Sequence, residues 1–221
     1  MTRYRFELGL GAAFLAIVTA LWLWQNPGVV EGPLRADEIK HYTQLIEKLP
    51  FPENERPALT QALNDWMAAD DGRSFHMLNL MRYYPELRRF EGAPAFDGTP
   101  QQSNAHYEGL VMPMLFKVGG YPLFAGEVKS RNLIEYTRAL NDWNRVLLVR
   151  YPTRRAFLDL VTNPAYGPIE PYKLMAFKVV LVPVQTEIVM PPLPLVVGGM
   201  LLPLFLAIGW WRSASRSREQ R

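Results

Sequence analysis

Two long runs without a charged residue lie near the two ends of this 221-residue chain. The first is LGLGAAFLAIVTALWLW, residues 8–24, and the second is IVMPPLPLVVGGMLLPLFLAIGWW, residues 188–211. A helix needs roughly 20 apolar residues to cross a hydrocarbon core of ~30 Å. The two runs therefore predict two transmembrane helices, with a folded segment over residues 25–187 between them.

The first run has a second interpretation, a signal peptide that is cleaved off. Such a peptide ends at a cleavage site made of small residues. Here the run ends in bulky residues, LWLWQNP at 21–27. This favours a retained anchor, in which Trp22 and Trp24 lie at the membrane interface.

Short basic segments flank both runs on their outer sides. MTRYRFE precedes the first run, and RSASRSREQR, residues 212–221, follows the second. Short loops rich in Lys and Arg stay in the cytoplasm. We therefore expect an inner-membrane protein with both termini in the cytoplasm and the segment 25–187 in the periplasm or on the outer face.

Composition excludes several kinds of protein. The net charge of +3 comes from the two tails, so the interior lacks the basic patch that nucleic-acid binding needs. The chain has no cysteine, which excludes disulfides, thiolate metal sites and cysteine nucleophiles. No nucleotide-binding loop, nucleophile elbow or paired-carboxylate spacing occurs. We therefore expect no nucleic-acid partner, no cofactor and no metal.

A helical hairpin is predicted over residues 35–70, after the turn-rich linker NPGVVEGPL. Apolar residues recur at helical spacing in 36–49 and again in 56–70, and the proline-containing PFPENE separates the two helices. Asn54 is a candidate cap for the second helix. The apolar stripe either packs on the following domain, which we favour, or binds a partner protein.

From residue 73 onward, strand-like and helical patterns alternate. The strands are predicted at 74–84, 121–130, 143–152 and 173–184, and the helices at 103–120 and 153–167. This β-α-β-β-α-β order is that of the ferredoxin-like α+β fold, here over residues 73–184. Both helices cover one face of such a sheet. The other face is too apolar to stay in water, which predicts a homodimer.

Three segments of this domain resemble a known family. They are FHMLNLMRYYPE at 75–86, AHYEGLVMPMLFKVGG at 105–120 and WNRVLLVRYPTRRAFLDLVTNPAY at 143–166. They are similar to bacterial proteins grouped as domain of unknown function 1330, in the dimeric α/β-barrel superfamily. The resemblance covers residues 73–183 and implies a dimeric barrel. It leaves the activity open, because the superfamily includes cofactor-free monooxygenases, haem-degrading enzymes and isomerases.

One segment departs from the family pattern. Relatives usually continue after the NPAY motif with a His-Arg pair, whereas this chain continues with GPIEPYKLMAF at 167–177. Any pocket role of that pair is either missing or taken by Glu170, Tyr172 or Lys173. Haem-degrading relatives also need a histidine in the second helix. No histidine follows His106 here, so haem degradation is not expected.

Asn79 is the leading candidate for ligand binding. Side chains alternate along a strand, which puts Asn79 among large apolar neighbours on one face and His76 and Arg82 on the other. An unpaired buried amide costs about 1–3 kcal/mol. Asn79 is therefore either satisfied by the fold, the commoner outcome, or bonded to a carbonyl or hydroxyl of a bound molecule.

Five further side chains complete the candidate ligand-binding set: His76, Arg82, His106, Arg150 and Tyr151. The arginines either bind an anionic ligand group or, more commonly, pair with carboxylates such as Glu86 and Asp159. Lone histidines and aromatics are more often structural than functional. A metal site that combines the two histidines with Glu108 or Glu127 is not expected, because nothing in the spacing brings them together.

These features predict a membrane-anchored, extracytoplasmic α/β-barrel protein of unknown activity that binds a small hydrophobic ligand. One alternative is a cofactor-free oxygenase or isomerase that acts on an aromatic or quinone-like substrate through Asn79, His76 and Arg82. Another is a scaffold subunit that binds a membrane-protein partner. A pocket with a polar cluster favours binding or catalysis. A filled barrel with an exposed apolar hairpin favours the scaffold.

Overall fold

The computed structural model describes residues 5–49, 56–134, 137 and 141–219. These residues form eight helices and four strands. The chain divides into two units, Met1–Gln185 and Thr186–Arg221. The first unit contains the sheet.

Four helices precede the sheet: α1 (Arg5–Gln25), α2 (Gly28–Glu31), α3 (Ala36–Ile46) and α4 (Arg56–Ala68). At the start of helix α3, the Arg35 backbone N–H donates to the Glu38 side chain at 2.9 Å, which is one of the two hydrogen bonds of a capping box. The hydroxyl of Thr43 joins α3 to α4 by donating to the Asn64 side-chain oxygen at 2.6 Å. The predicted cap Asn54 lies outside the described residues.

The sheet contains four strands: β1 (Phe75–Tyr83), β2 (Tyr121–Glu127), β3 (Arg145–Tyr151) and β4 (Phe177–Val184). Their spatial order is β2-β3-β1-β4, and every neighbouring pair is antiparallel. Helix α5 (Pro100–Lys117) connects β1 to β2, and α6 (Arg154–Val161) follows β3. This mixed α+β arrangement is consistent with a ferredoxin-like fold, which confirms the predicted fold class at that level.

Helix α5 begins three residues before the predicted start at 103. Its cap is Thr99, whose side chain accepts a hydrogen bond from the Gln102 backbone N–H at 3.2 Å. Pro100 occupies the first turn, where its missing N–H costs nothing. The helix is followed by Gly119 with φ +75°, a conformation that favours glycine.

The last strand of the sheet begins later than predicted. The prediction of a strand over 173–184 is wrong in its first part, because Glu170–Ala176 form a helix, α7, and β4 starts only at Phe177. Pro171 lies in the first turn of α7, and Met175 and Ala176 are fully buried beneath it. The apolar residues at the end of α7 are followed directly by the apolar residues of β4. The sequence therefore shows no boundary between the helix and the strand.

The second unit contains one described helix, α8 (Leu193–Glu219). The helix starts five residues after the beginning of the apolar run at 188, because prolines at 191 and 192 precede it. Among the described residues, two helical segments are long and apolar enough to cross a membrane, Phe6–Gln25 and Leu193–Arg212.

One face of the sheet is covered by helices and carries the core. Phe75, Met77 and Met81 of β1 are buried there. An aromatic cluster holds the hairpin on this face, because Trp66 of α4 packs edge-on against Phe75 at 5.2 Å, and Phe75 stacks on Tyr151 at 5.5 Å. The apolar stripe of the hairpin therefore packs on the domain, as predicted.

The other face carries apolar side chains that remain exposed. Leu78 of β1 pairs with Leu148 of β3 on one side and with Val182 of β4 on the other, and Leu148 pairs in turn with Phe124 of β2. Paired residues in an antiparallel sheet point to the same side. Phe124 is 56% exposed and Val182 is 40% exposed. We call this surface the open face.

Candidate functional site

A cavity of about 610 Å³ lies between the covered face of the sheet and the helices. Its apolar walls include Met77, Leu147 and Val149 from the sheet, Val111 and Leu115 from α5, and Ile46, Leu63 and Trp66 from the hairpin. Pockets that bind small molecules have volumes of roughly 300–1,000 Å³ and mostly apolar walls. The cavity therefore has the size and lining of a site for a small hydrophobic molecule.

Asn79 lines this cavity and is satisfied by the fold. Its amide nitrogen donates to the Met77 carbonyl at 3.2 Å and lies 3.5 Å from the Leu147 carbonyl. Its amide oxygen accepts a hydrogen bond from the Lys173 ammonium at 3.3 Å. The hydrogen bonds explain how the strand tolerates this buried amide, and they fix its oxygen on the cavity side, beside a charged group.

Lys173 of α7 places a cationic group in an otherwise apolar space. Its ammonium lies 5.5 Å from the centre of the Tyr107 ring and forms no ion pair among the described residues. Burial lowers the pKa of Lys173 to about 8, although Glu170 and then Glu108 act in the opposite direction. The side chain keeps partial exposure, and it lines the cavity.

Three tyrosines, Tyr107, Tyr151 and Tyr166, also line the cavity. The hydroxyls of Tyr107 and Tyr166 are 3.2 Å apart, and both residues line the cavity. Burial raises the pKa of Tyr107 to about 12, and it raises the pKa of Tyr166 and Tyr151 as well. All three hydroxyls therefore stay protonated at neutral pH and can donate hydrogen bonds.

An ion pair lines the cavity beyond Asn79. Arg145 of β3 contacts Glu108 of α5 at 2.9 Å. The Asn104 amide donates to Glu108 at 3.1 Å and to the Tyr83 hydroxyl at 3.3 Å. The Nε atom of Arg145 is buried and has no hydrogen-bond partner among the described residues. This end of the cavity is therefore polar and not fully satisfied.

The structure brings two of the six predicted ligand-binding residues into the cavity, Asn79 and Tyr151. His76, Arg82 and Arg150 belong to the open face, as the alternation along the strands predicts. His106 packs instead between aromatic rings, 5.7 Å from Phe96 and 4.6 Å from Tyr172.

The two predicted arginines pair with groups other than Glu86 and Asp159. Arg82 donates to the Asp142 carbonyl at 2.8 Å and lies 3.7 Å from the Asp142 carboxylate. Arg150 donates to Gln25 at the end of α1, to the side-chain oxygen at 2.7 Å and to the backbone carbonyl at 2.9 Å. Both arginines therefore tie chain segments to the sheet.

His76 is buried between Arg150 and Val184 on the open face. Burial, and next the positive charge of Arg150, lower the pKa of His76. In the part of the chain that the structure describes, no group of three or more His, Cys, Asp or Glu side chains is placed to hold a metal ion.

Sequence reasoning did not include Lys173, Glu108 and Arg145 among the ligand-binding candidates. The departure from the family pattern had pointed to Lys173 as one of three residues that take over a pocket role. Pro171 was the sequence signal for the helix that contains Lys173, because proline is common in the first turn of a helix and unsuited to the interior of a strand. Glu108 and Arg145 have the spacing of ordinary surface charges, and only the fold brings them together.

Comparison with known proteins defines the fold and leaves the activity open. No family model and no curated protein matches the chain. The solved structure of RPA0582, a protein of unknown function from Rhodopseudomonas palustris, matches with a TM-score of 0.51 and 20% identity, over 58% of this chain and 94% of that chain. The methylated RPA0582 protein matches with a TM-score of 0.51 and 21% identity, over 58% and 91% of the two chains.

A third similar structure is SnoaB, a cofactor-independent oxygenase from Streptomyces nogalater. It matches with a TM-score of 0.35 and 10% identity, over 54% of this chain and 99% of that chain. At these identities the comparisons concern the fold of the sheet-containing unit alone. Any function for this chain must therefore be argued from its own cavity.

Proposed function

We propose that this chain is a membrane-anchored, extracytoplasmic protein that binds a small hydrophobic molecule in the cavity. The observation that carries the proposal is the combination of a volume of about 610 Å³, apolar walls and a few convergent polar groups around Asn79 and Lys173. Apolar walls supply affinity by removing ligand surface from water. The polar groups fix the orientation of the ligand.

The hairpin supports ligand binding over the scaffold alternative. Ile46 of α3 and Met67 of α4 are almost completely buried in the core of the sheet-containing unit. Other hairpin side chains, among them Leu63 and Trp66, line the cavity. The apolar stripe of the hairpin is therefore used inside the domain, which leaves less of it for a partner protein.

Membrane attachment is supported by the two long apolar helices. Side chains of α1 such as Phe14, Leu15 and Val18 are 59–68% exposed, which is costly in water and favourable in lipid. The segment Leu193–Arg212 of α8 has a mean hydropathy of 2.0. With the basic flanks in the cytoplasm, the cavity-containing unit lies outside it.

Homodimerisation is part of the proposal and concerns the open face. Two strands contribute exposed apolar side chains there, β2 with Phe124 and β4 with Val180 and Val182. A second copy presents the same surface, so two open faces can bury each other about a twofold axis. Pairing two such sheets removes apolar area from water without using the cavity.

A cofactor-free enzyme is the second candidate, and Lys173 favours it. A general base works best when its pKa lies near the working pH, and burial lowers the pKa of Lys173 to about 8. A carbonyl compound in the cavity would have this amine and the Tyr151 hydroxyl within the same lining. Such an enzyme would bind its substrate where we place the ligand.

The binding site can be tested by filling the cavity. We would reconstitute the full chain in lipid nanodiscs, add a photoreactive diazirine analogue of hexadecanol, irradiate, and map the labelled peptides by mass spectrometry. Val111→Trp fills the cavity, and Leu110→Trp adds the same ring at a neighbouring position that is 41% exposed. We expect Val111→Trp to lose cavity labelling by about tenfold or more, equivalent to at least ~1.4 kcal/mol of binding.

The matched control decides the outcome. Leu110→Trp should keep the label on peptides that line the cavity. Labelling that is equal in the two variants, or that is confined to the apolar helices in the unmodified chain, would contradict the proposal. Native mass spectrometry of the gently purified protein provides an independent check, because a copurified small molecule should be present in the unmodified chain and absent from Val111→Trp.

A further inference from the structure

The cavity changes from apolar to polar along the direction of the strands. Met77 of β1 pairs with Val149 of β3 and Pro183 of β4, and all three line the cavity. Two residues further along β1 lies Asn79. Met81 lies two residues beyond Asn79, and its partner on β3 is Arg145. The rise per residue in a strand is about 3.3 Å, so the change takes place over ~13 Å.

Helix α5 follows the same gradient. Its cavity-lining residues are, from the N-terminal to the C-terminal end, Asn104, Tyr107, Glu108, Val111, Met112 and Leu115. The first three are polar or carry a hydroxyl, and the last three are apolar. Two independent elements therefore agree about which end of the cavity is polar.

The apolar end is the end at which α1 contacts the sheet and at which β4 ends. Gln25, the last residue of α1, accepts hydrogen bonds from Arg150. Arg150 pairs with His76 across the sheet, and His76 pairs on its other side with Val184. Val184 is the last residue of β4, after which the chain continues to α8. Helix α1 therefore contacts this row of the sheet, and β4 ends in the same row.

The charge inside the cavity indicates the ligand's polar group. Among the described residues, the close partners of the Lys173 ammonium are a neutral amide oxygen and a tyrosine ring, and it forms no ion pair, although the Glu170 carboxylate also lines the cavity and favours the charge. The Glu108 carboxylate is already paired with Arg145 at 2.9 Å. A buried ammonium without a close anion is costly, and an anionic ligand group would remove that cost. Lys173 thus offers a site for one negative charge.

The rim of the cavity suits a ligand that arrives from lipid. Leu59, Leu174 and Leu181 line the cavity and are 38–43% exposed. They place apolar surface where the cavity meets solvent. The alkyl chain of an amphiphile can pass such a rim in contact with apolar side chains.

We propose that the cavity binds a long-chain fatty acid, a single-chain amphiphile, with its carboxylate on the Lys173 ammonium and its alkyl chain directed toward the end of the sheet at which Arg150 contacts α1. This inference rests on the proposed binding function and adds the class of the ligand and its direction. The apolar side chains of the hairpin, together with Met77 and its partners on the neighbouring strands, surround the alkyl chain of the ligand. The carboxylate accepts from Lys173 and lies near the hydroxyls of Tyr107 and Tyr166.

The test compares two photoreactive probes of the same length, palmitate and hexadecanol, each with a diazirine at the far end of its chain. The full-length protein in nanodiscs receives each probe separately. We expect the acid to label the cavity at least about tenfold more than the alcohol. Lys173→Met should abolish that preference, whereas Lys178→Met, which removes an exposed lysine outside the cavity lining, should keep it.

The position of the label and its pH dependence provide further readouts. Because the diazirine is at the chain end, the label should fall on peptides that contain Met77 or the hairpin. The preference for the acid should also decline as the pH rises above about 8, where free Lys173 loses its proton. That decline should be absent in Lys173→Met.

Each outcome separates the two proposals. If neither probe labels the cavity, the proposed binding function fails. If acid and alcohol label it equally, or if the preference survives in Lys173→Met, the binding function stands and the fatty-acid inference is overturned. Labelling of the peptide that contains Asn104 and Glu108 by the chain-end diazirine would overturn the proposed direction.

Discussion

The two faces of strand β1 are similar in sequence and differ in what covers them. Met77 and Met81 on the covered face are 4% and 1% exposed, whereas Leu78 and Leu80 on the open face keep intermediate exposure. The covered face is not simply filled, because its helices leave a cavity beside Asn79.

The polar side chains of the two faces are satisfied in different ways. Asn79 on the covered face bonds the strands themselves and Lys173, so its partners line the cavity. On the open face, Arg82 and Arg150 bond segments that flank the sheet. Both sets of polar side chains are therefore satisfied by the protein itself, and the Asn79 set also lines a cavity.

The largest expected effect tests whether the two faces differ in stability. We expect Met81→Ala to reduce the free energy of unfolding by about 2–5 kcal/mol, because it removes a fully buried side chain. Leu80→Ala, one residue away on the open face, should cost less than about 1 kcal/mol in the monomer. Urea unfolding of the full chain in mild detergent, followed by tryptophan fluorescence, measures both. Equal losses would contradict the contrast between the faces.

The second prediction concerns association through the open face. Leu148→Glu places a charge in the middle of that face, next to Leu78 and Phe124. We expect the dissociation constant of the homodimer to rise by about 100-fold or more, equivalent to ~2.7 kcal/mol. Leu148→Ile is the matched control and should leave it nearly unchanged. Analytical ultracentrifugation in detergent measures the constant, and a monomeric unmodified chain would contradict the proposed dimer.

The fold was more predictable than the site, for reasons visible in individual residues. Alternation along β1 placed Asn79 on the face opposite His76 and Arg82, and the register agrees. The boundary between α7 and β4 was missed because Leu174, Met175, Ala176 and Phe177 form one apolar run across it. A run this short has no period that separates helix from strand.

The cavity itself could not be predicted from sequence. Its volume depends on how closely the hairpin and α5 approach the sheet, which is decided by packing among residues distant in the chain. Asn79 was identified because an amide is unusual among large apolar neighbours on a strand, and Tyr151 was included as the aromatic residue that follows Arg150. Lys173 was assigned to a strand, and its approach to Asn79 follows from the helix that the structure shows there.

The third prediction concerns the effect of the buried Lys173 charge on the free energy of unfolding. Burial lowers its pKa from 10.5 to about 8, so between these values the unfolded chain binds more protons than the folded chain. Stability therefore rises as the pH increases from 8 to 10.5, and below pH 8 the full cost of the charge remains. A difference of this size corresponds to about 3 kcal/mol at most.

We therefore expect Lys173→Met to stabilise the ligand-free protein at pH 7 by roughly 1–2 kcal/mol, since the variant also loses the hydrogen bond to Asn79. Its stability should no longer rise between pH 8 and 10.5. Urea unfolding across this range, with Lys178→Met as the control, measures both effects. Destabilisation at pH 7, with the alkaline rise retained, would show that Lys173 is not a buried cation at an unfavourable position.

The smallest expected effect applies the same argument to the open face, at His76. Burial and the charge of Arg150 lower its pKa below 6.5, so the unfolded chain binds the proton more tightly. The His76 contribution to stability is therefore present above pH 6.5 and is lost as the pH falls through the folded-state pKa. His76→Gln should remove this acid-side decline, whereas the exposed His41→Gln should retain it. If stability declines with falling pH in the same way in the unmodified chain and in His76→Gln, water reaches the end of the open face near Arg150 as readily as its exposed centre. The two faces would then differ in their cavity alone.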